Sequence, residues 1–341
     1  MSEYRQDPLS RRWVIIGSDR ASRPNEFIEE PIRRQPVPCP FCAGNEQQTP
    51  AAVAAYDAQG RPTNGLAGDW LVRIVPNKYP AVTTDEAVCP KCQPLGMTPP
   101  VGPVPGFGRH EVIVESPRHV ASLSELTPRE AEVVFQAYRH RMLALKAEGR
   151  YRYVQIFKNV GPGAGASLEH VHSQLLALPG VPEVVAQELT SCREHFLRHG
   201  RPLVASLLER ELAGGERIVA QTEHYLALCP FASRFPYETW VLPRRAAPSF
   251  ETTHPSELGE LSRIVQDAIG RIERAAGPVP YNCVLHTQPF DTSANDHYHW
   301  HLEIIPRLTK VAGFEWGTGC FINPFLPETA AAHLRACIAK A

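Results

Sequence analysis

The order of apolar and polar positions predicts short strands that alternate with two long helices. Apolar residues recur at helical spacing over 127–146, where Thr127, Pro128 and Glu130 form the signature of a helix N-terminus. A second amphipathic stretch covers 255–275. Apolar runs predict strands at 13–16, 71–75, 112–115, 152–158, 171–178, 240–242 and 281–286. This pattern predicts an α+β fold in which helices pack on antiparallel sheet.

The chain also repeats itself. Residues 169–179 (EHVHSQLLALP) and 296–306 (DHYHWHLEIIP) align without gaps, each with an acid, His-x-His and a closing proline. Each segment follows a predicted strand, helix and strand in the same order, and such internal repetition indicates a duplicated unit. We therefore expect two fused units, an N-terminal one at 1–180 and a C-terminal one at 181–341.

Composition and charge narrow the range of partners. Hydrophobic residues make up 43% of the chain, which is enough for a sizeable core. A net charge of −1 gives no electrostatic reason to expect nucleic acid as a partner. No apolar run approaches the roughly 18 residues of a membrane span, and the polar residues 1–7 lack a signal-peptide core. We expect a cytoplasmic protein with neither a membrane nor a nucleic acid as partner.

The segment with the strongest chemical pattern is the first histidine strand. Strand alternation places His170, His172 and Gln174 on one face. The glycine-spaced loop 159–167 precedes them, and such a loop lets backbone N–H groups approach phosphate oxygens. A neutral imidazole can attack a phosphorus atom and form a reactive phospho-imidazole. Gln174 and the loop would supply donors to the oxygens. The pattern predicts nucleotidyl transfer through His172.

Two cysteine pairs have the spacing of metal ligands. The chain has nine cysteines, and their odd number and scattered positions argue against a disulfide framework. Cys39 and Cys42 form one Cys-x-x-Cys pair, and Cys89 and Cys92 form another; this spacing is typical of zinc sites. Spacing alone allows a single four-cysteine site, or a site in which the first pair takes two ligands from elsewhere in the chain.

Several motifs together resemble the galactose-1-phosphate uridylyltransferase family of the histidine-triad superfamily. They are HVHSQ at 170–174 and the segments 7–14, 20–24, 39–46, 72–80, 116–119 and 313–324. The resemblance covers nearly the whole chain and implies two fused histidine-triad units that assemble as a homodimer. One departure is Val171, which stands where the family usually has proline between the two histidines. The related ADP-glucose phosphorylase also lacks this proline, so the nucleotide base stays open.

The same resemblance assigns roles to individual residues. It implies that His172 is the nucleophile that carries the uridylyl group. The implied substrate-binding residues are Arg20, Arg23, Asn77, Asn159, Gly165, Ser167, Gln174 and Glu315. The implied zinc ligands are Cys39, Cys42, His119 and His170. A second ion, iron or zinc, would be held by Glu188, His286, His299 and His301; an alignment counted back from Pro306 gives His301 and Glu303 as the last two ligands instead.

The resemblance therefore implies an enzyme whose partners are a nucleotide sugar and a sugar 1-phosphate. The leading hypothesis is a uridylyltransferase that converts UDP-glucose and galactose 1-phosphate into glucose 1-phosphate and UDP-galactose. The alternative is an ADP-glucose phosphorylase that uses the same histidine with inorganic phosphate as acceptor. A non-catalytic nucleotide-binding or zinc-binding scaffold would be expected to have lost His172 or Gln174, and the chain has both.

Overall fold

The computed structural model describes residues 2–17, 38–66, 69–85, 103, 105–290 and 297–338. The strands in this part of the chain are β1 (Glu3–Gln6), β2 (Trp13–Ile16), β3 (Ala54–Tyr56), β4 (Val72–Pro76), β5 (Arg109–Val114), β6 (Tyr153–Val160), β7 (His172–Leu178), β8 (Ile218–Gln221), β9 (Tyr225–Leu228), β10 (Thr239–Pro243), β11 (Tyr281–His286), β12 (His301–Pro306) and β13 (Phe321–Asn323). The α-helices are α1 (Pro128–Ala147), α2 (Glu183–His199), α3 (Leu203–Gly214), α4 (Leu258–Ala276), α5 (Gly313–Thr318) and α6 (Pro327–Ala336).

Ten of these strands form one antiparallel sheet with an internal symmetry. Their order is β3-β4-β5-β7-β6-β11-β12-β10-β9-β8. The first five come from before residue 180 and the last five from after it. Read from its outer edge, each half has the same order, and the halves meet where β6 pairs with β11. This arrangement confirms the predicted α+β class of antiparallel sheet with packed helices, while the domain boundary at residue 180 stays a prediction.

The two long helices lie side by side on one face of the sheet. Thr127 caps α1 through a capping box with Glu130, as its sequence predicts. Helix α4 is preceded by a short 3-10 turn at Pro255–Glu257. Apolar side chains of α1, α4 and the strands beneath them form the largest core cluster. Burial of these apolar faces, rather than local helix propensity, supplies most of the helices' stability.

The opposite face of the sheet is covered differently in the two halves. In the second half, α2 and α3 cover the sheet, and Cys192, Leu203 and Leu208 pack against Leu226 and Trp240. No described helix covers the corresponding face of the first half, where a smaller cluster around Phe41 and Val112 lies beside the histidine strand. The two histidine strands therefore have different surroundings despite their similar sequences.

A separate three-stranded sheet joins the two ends of the chain. Strand β2 pairs antiparallel with β1 and parallel with β13. Arg5 donates to the carboxylate of Glu328 on α6 at 2.8 Å, which ties this small sheet to the C-terminal helix. No helix in the described ranges is long and apolar enough to cross a membrane.

Most predicted elements agree with the structure to within a few residues. His170 and Val171 precede β7, which begins at His172. Alternation along a continuous strand would place His297, His299 and His301 on one face, but residues 297–300 precede β12, which begins at His301. The reason is that the backbone N–H of Trp300 donates to the carbonyl of Ala247 at 2.9 Å, so this segment bonds to a loop rather than to the neighbouring strand.

Candidate active site and metal centres

His172 lies at the start of β7 and is held in one tautomer. Its Nδ1 lies 2.6 Å from the backbone oxygen of His170. A carbonyl oxygen only accepts, so Nδ1 carries the hydrogen and Nε2 keeps its lone pair. Burial, followed by the charge of Lys158, lowers the pKa of His172. The imidazole is therefore neutral at physiological pH, which is the form that can act as a nucleophile.

A buried polar network lies on the other side of the same strand, under α1. Lys158 of β6 forms an ion pair with Glu115, and its Nζ donates to the backbone oxygen of His172 at 3.0 Å. Tyr138 and Ser173 each donate to Glu115 at 2.5 Å. These bonds compensate the cost of burying both charges and fix the backbone that carries His172. Sequence reasoning missed this network because its members lie far apart along the chain.

Gln174 follows His172 on the same face and contacts His110 of β5. The Oε1 atom of Gln174 lies 2.8 Å from Nε2 of His110. The Nδ2 atom of Asn77 lies 3.2 Å from the same ring nitrogen. The structure thus brings together Gln174 and Asn77, two predicted substrate-binding residues, around a histidine that the sequence analysis assigned no role.

The predicted phosphate loop follows β6 and turns beside β11. Gly161 and Gly165 have φ angles of 76° and 85°, which glycine adopts at little cost. The amide of Asn282 donates at 2.8 Å both to Oδ1 of Asn159 and to the backbone oxygen of Ala164. Ser167 is exposed at the end of the loop. Asn282, from the second half of the chain, therefore holds the predicted phosphate loop of the first half.

Cys39, Cys42, His119 and His170 converge as one candidate metal centre, with all four ligand atoms within 4.8 Å of one another. Nδ1 of His170 lies 3.5 Å from Sγ of Cys39, and Nδ1 of His119 lies 3.5 Å from Sγ of Cys42. A tetrahedral zinc with the usual bond lengths requires sulfur–nitrogen separations of about 3.6 Å. The geometry fits a metal ion of this kind.

The protonation states at this centre also suit a metal. Nε2 of His170 donates to the backbone oxygen of Ser116 at 2.8 Å, which leaves Nδ1 as a lone-pair donor. Burial lowers the pKa of His170 to about 4, so its ring is neutral. Burial, together with the neighbouring Cys39, raises the pKa of Cys42 to about 11; a bound cation would reverse this by stabilising the thiolate. Phe41, between the two cysteines in sequence, lies between this metal centre and the nucleophile, because its ring centroid is 5.3 Å from that of His172.

A second cluster lies in the other half, beneath α2. Glu188, His286 and His301 have ligand atoms within 4.8 Å of one another, and all three are buried. Although burial lowers it, the charges of Glu188 and Glu303 raise the pKa of His286 to about 10. Nε2 of His301 is buried without a hydrogen-bond partner, and it is the ring atom best suited to a metal.

The strand registers relate the two clusters. Gln174 pairs with Phe157 of β6, and Glu303 pairs with Val284, the corresponding residue of β11. His301 and Glu303 therefore occupy the places of His172 and Gln174. His299 matches His170, and its Nε2 donates to the backbone oxygen of Pro243 at 2.9 Å; the cluster of Glu188, His286 and His301 does not include it. The described geometry favours the ligand set that ends in His301 and Glu303. The gapless alignment of the repeat, which pairs His172 with His299, is therefore displaced by two residues.

The remaining predicted residues are Glu315, whose hydrogen bond lies at the start of its own helix, and four residues outside the described ranges. Glu315 lies on α5, where its carboxylate accepts from the backbone N–H of Ala312 at 3.0 Å. Arg20 and Arg23 lie outside the described residues, as do Cys89 and Cys92, the second half of the alternative four-cysteine site.

Comparisons with known proteins agree with this geometry. A family model described as a domain of unknown function (DUF4921) matches residues 109–340. An ADP-glucose phosphorylase from Arabidopsis thaliana is 32% identical over 98% of this chain and 92% of that protein. A galactose-1-phosphate uridylyltransferase from Thermotoga maritima is 28% identical over 98% of each chain.

Solved structures give the same two kinds of relative. The crystal structure of an ADP-glucose phosphorylase from Arabidopsis thaliana with bound ADP-glucose matches with a TM-score of 0.83 and 31% identity, over 98% of this chain and 99% of that one. A uridylyltransferase structure matches with a TM-score of 0.74 and 28% identity, over 99% and 98% of the two chains. Both similarities extend over the whole fold and not over the histidine strands alone.

Proposed function

We propose that this chain, which belongs to the galactose-1-phosphate uridylyltransferase family of the histidine-triad superfamily, transfers a nucleoside monophosphate through a covalent intermediate on His172. Its relatives make it an enzyme of the nucleotidyltransferase class. The single observation that carries the proposal is the tautomer of His172, whose Nδ1–H is bound to the oxygen of His170. That bond leaves Nε2 available on the face that also carries Gln174.

The proposed reaction has two displacements. Nε2 of His172 attacks the α-phosphorus of a nucleotide sugar, a phosphorus–nitrogen bond forms, and the bond to the sugar 1-phosphate breaks. The oxygen of a second phosphate then attacks the same phosphorus and releases the histidine. Gln174 and the N–H groups of the 159–167 loop would stabilise the charge on the non-bridging oxygens. The departing sugar 1-phosphate and the attacking acceptor are both phosphate compounds, so one pocket can bind each of them in turn.

We assign zinc to the centre formed by Cys39, Cys42, His119 and His170, with a structural role. Four protein ligands fill a tetrahedral zinc and leave no open position for substrate. When bound, the metal supplies a fixed charge that holds the two ligand-bearing loops against β7. His170 would then anchor the strand on which His172 lies two residues later. The identity of the ion in the Glu188 cluster, iron or zinc, is also a proposal.

Two nucleotide sugars are candidate donors. The relatives named galactose-1-phosphate uridylyltransferase are more numerous, which supports UDP-glucose with galactose 1-phosphate. The ADP-glucose phosphorylase has the higher identity and TM-score of the relatives described above, which supports ADP-glucose with inorganic phosphate. Val171, in the place of the family's usual proline, agrees with the second donor. Both reactions use the same step on His172.

The decisive experiment is to weigh the intact protein after incubation with each donor and no acceptor. We expect a mass gain of one AMP residue from ADP-glucose or one UMP residue from UDP-glucose, together with release of one equivalent of glucose 1-phosphate. His172→Asn should show no gain while it keeps its fold and its zinc, since His172 is not a proposed ligand. Intersecting initial-rate lines and no mass gain with either donor would exclude the covalent mechanism.

The quaternary structure and cellular location are proposals from family membership. We propose a cytoplasmic homodimer built from chains that each contain two fused units, divided near residue 180. Light scattering on the purified protein should give the mass of two chains. A monomer with full transfer activity would show that the dimer is not needed for the reaction.

A further inference from the structure

The neighbourhood of Gln174 contains a residue whose role follows from its hydrogen bonds. His110 is half-buried on β5, one strand away from Gln174 on β7. Its Nδ1 lies 3.1 Å from the backbone nitrogen of Ala81. A backbone N–H only donates, so Nδ1 of His110 must be the acceptor. In a neutral ring the hydrogen then lies on Nε2.

Among the described residues, one acceptor lies within reach of the hydrogen on Nε2. The Oε1 atom of Gln174 lies 2.8 Å away. The amide nitrogen of Asn77 lies 3.2 Å away, but its oxygen already accepts from the backbone N–H of Tyr79 at 2.8 Å. The amide nitrogen of Asn77 therefore faces Nε2 of His110. Because both atoms carry hydrogen, neither can accept, and no hydrogen bond forms between them. The hydrogen of His110 goes to Gln174.

This bond decides which end of the Gln174 amide faces the substrate. An amide has a donating and an accepting end, and little distinguishes the two orientations unless a neighbour selects one. His110 occupies the accepting end, so the NH₂ group is left as the free end. The free end is also the one that can donate to a negatively charged oxygen. Without His110, the carbonyl end of Gln174 is equally free to face the phosphate and would repel it.

We propose that His110 is a positioning residue for nucleotidyl transfer, acting through Gln174 by holding its amide with NH₂ towards the phosphate. This inference rests on the proposed function, because it assigns Gln174 to the transferred phosphate. The backbone N–H of Ala81 takes part as well, because its hydrogen bond to Nδ1 fixes the tautomer of His110. The backbone of the segment after β4 is thereby linked to the donor that stabilises the reacting centre.

The test compares His110→Phe and His110→Gln for the rate of adduct formation with ADP-glucose and UDP-glucose. Phenylalanine keeps the ring but removes the donor, whereas the glutamine amide nitrogen can replace Nε2. We expect His110→Phe to lower the rate constant at saturating donor roughly tenfold to a hundredfold, with a smaller change in KM. His110→Gln should recover most of the rate. His140→Phe, on the opposite face of the sheet, is the matched control and should keep the wild-type rate.

A double-mutant cycle separates positioning from a general structural effect. If His110 acts through Gln174, the variant His110→Phe/Gln174→Ala should be no slower than Gln174→Ala alone. Losses that multiply would overturn the proposal, as would a His110→Gln variant as slow as His110→Phe. If the wild-type protein forms no adduct with either donor, the proposed function itself fails. If the wild-type protein forms the adduct normally but the effects of the His110 and Gln174 substitutions are independent, only the positioning role of His110 fails.

Discussion

At the scale of single residues, His119 distinguishes the two zinc hypotheses. It is exposed, yet its Nδ1 lies 3.5 Å from Sγ of Cys42. An exposed histidine with no metal to bind would be free to turn into solvent. Its position beside a thiol is the arrangement expected of a ligand, and it favours Cys39, Cys42, His119 and His170 over the four-cysteine alternative.

We therefore predict that His119→Asn loses one tightly bound zinc per chain and lowers the melting temperature by roughly 5 °C, because a lost structural metal costs a few kcal/mol of stability. Metal analysis and calorimetry on the purified protein measure the two effects. Cys89→Ser is the matched control and should keep both the zinc and the melting temperature. The opposite pattern, with zinc lost only from Cys89→Ser, would support the four-cysteine site.

Sequence reasoning at this scale depends on residues that lie close together along the chain. The spacing of His172 and Gln174 predicted a shared face, and both lie on β7, whereas His170 precedes this strand. The spacing gave no role to His110, because the register of β5 against β7 depends on tertiary packing and not on local spacing. The predicted strand at 112–115 belongs to the repeat, but a repeat indicates an element and not its partner.

At the scale of elements, strand β7 is fixed by a buried polar network on the side that faces α1. Lys158 reaches it from β6, and Glu115 reaches Ser173 from the end of β5. The side chains of Lys158 and Glu115 are only 4% and 0% exposed. Removing one partner would leave the other charge buried without compensation, which is among the costliest changes that a core can undergo.

We predict that Lys158→Met destabilises the protein by roughly 3–5 kcal/mol, measured by urea unfolding. Adding Glu115→Gln should recover part of this loss, because the remaining amide can still accept from Tyr138 and Ser173. Arg245→Met is the control: Arg245 is 62% exposed in its pair with Glu257, so its loss should cost less than about 1 kcal/mol. Equal losses from Lys158→Met and Arg245→Met would contradict the assignment of a buried, tightly coupled network.

Strand and helix positions were largely predictable, whereas the covering helices were not. The capping box of α1 and the alternation in β11 are local signals, and both agree with the structure. The packing of α2 and α3 depends on which face of the sheet is left apolar and exposed by the other helices. No local sequence pattern predicts this. The short edge strands β3 and β8 were missed because three or four residues carry too little periodicity.

At the scale of the whole molecule, one duplicated unit has two different environments. The register places Glu303 where the first half has Gln174, so a carboxylate replaces the amide donor. Helix α2 brings Glu188 over the same strand, where it accepts from Tyr298 at 2.7 Å. Negative charge and burial both disfavour a bound phosphate there. We therefore expect the second half to contribute structure, including the Asn282 contacts to the predicted phosphate loop, rather than a second reactive histidine.

It follows that the Glu188 cluster should be dispensable for the chemical step. We predict that Glu188→Gln lowers the melting temperature and any metal content above one ion per chain, because the amide cannot supply the charge that faces His286. The rate of adduct formation on His172 should stay within about threefold of the wild type, since the two clusters lie in different halves of the sheet. His172→Asn is the reciprocal control, which should lose the adduct and keep the melting temperature. A folded Glu188→Gln protein that forms no adduct would show that the second half takes part in the chemistry.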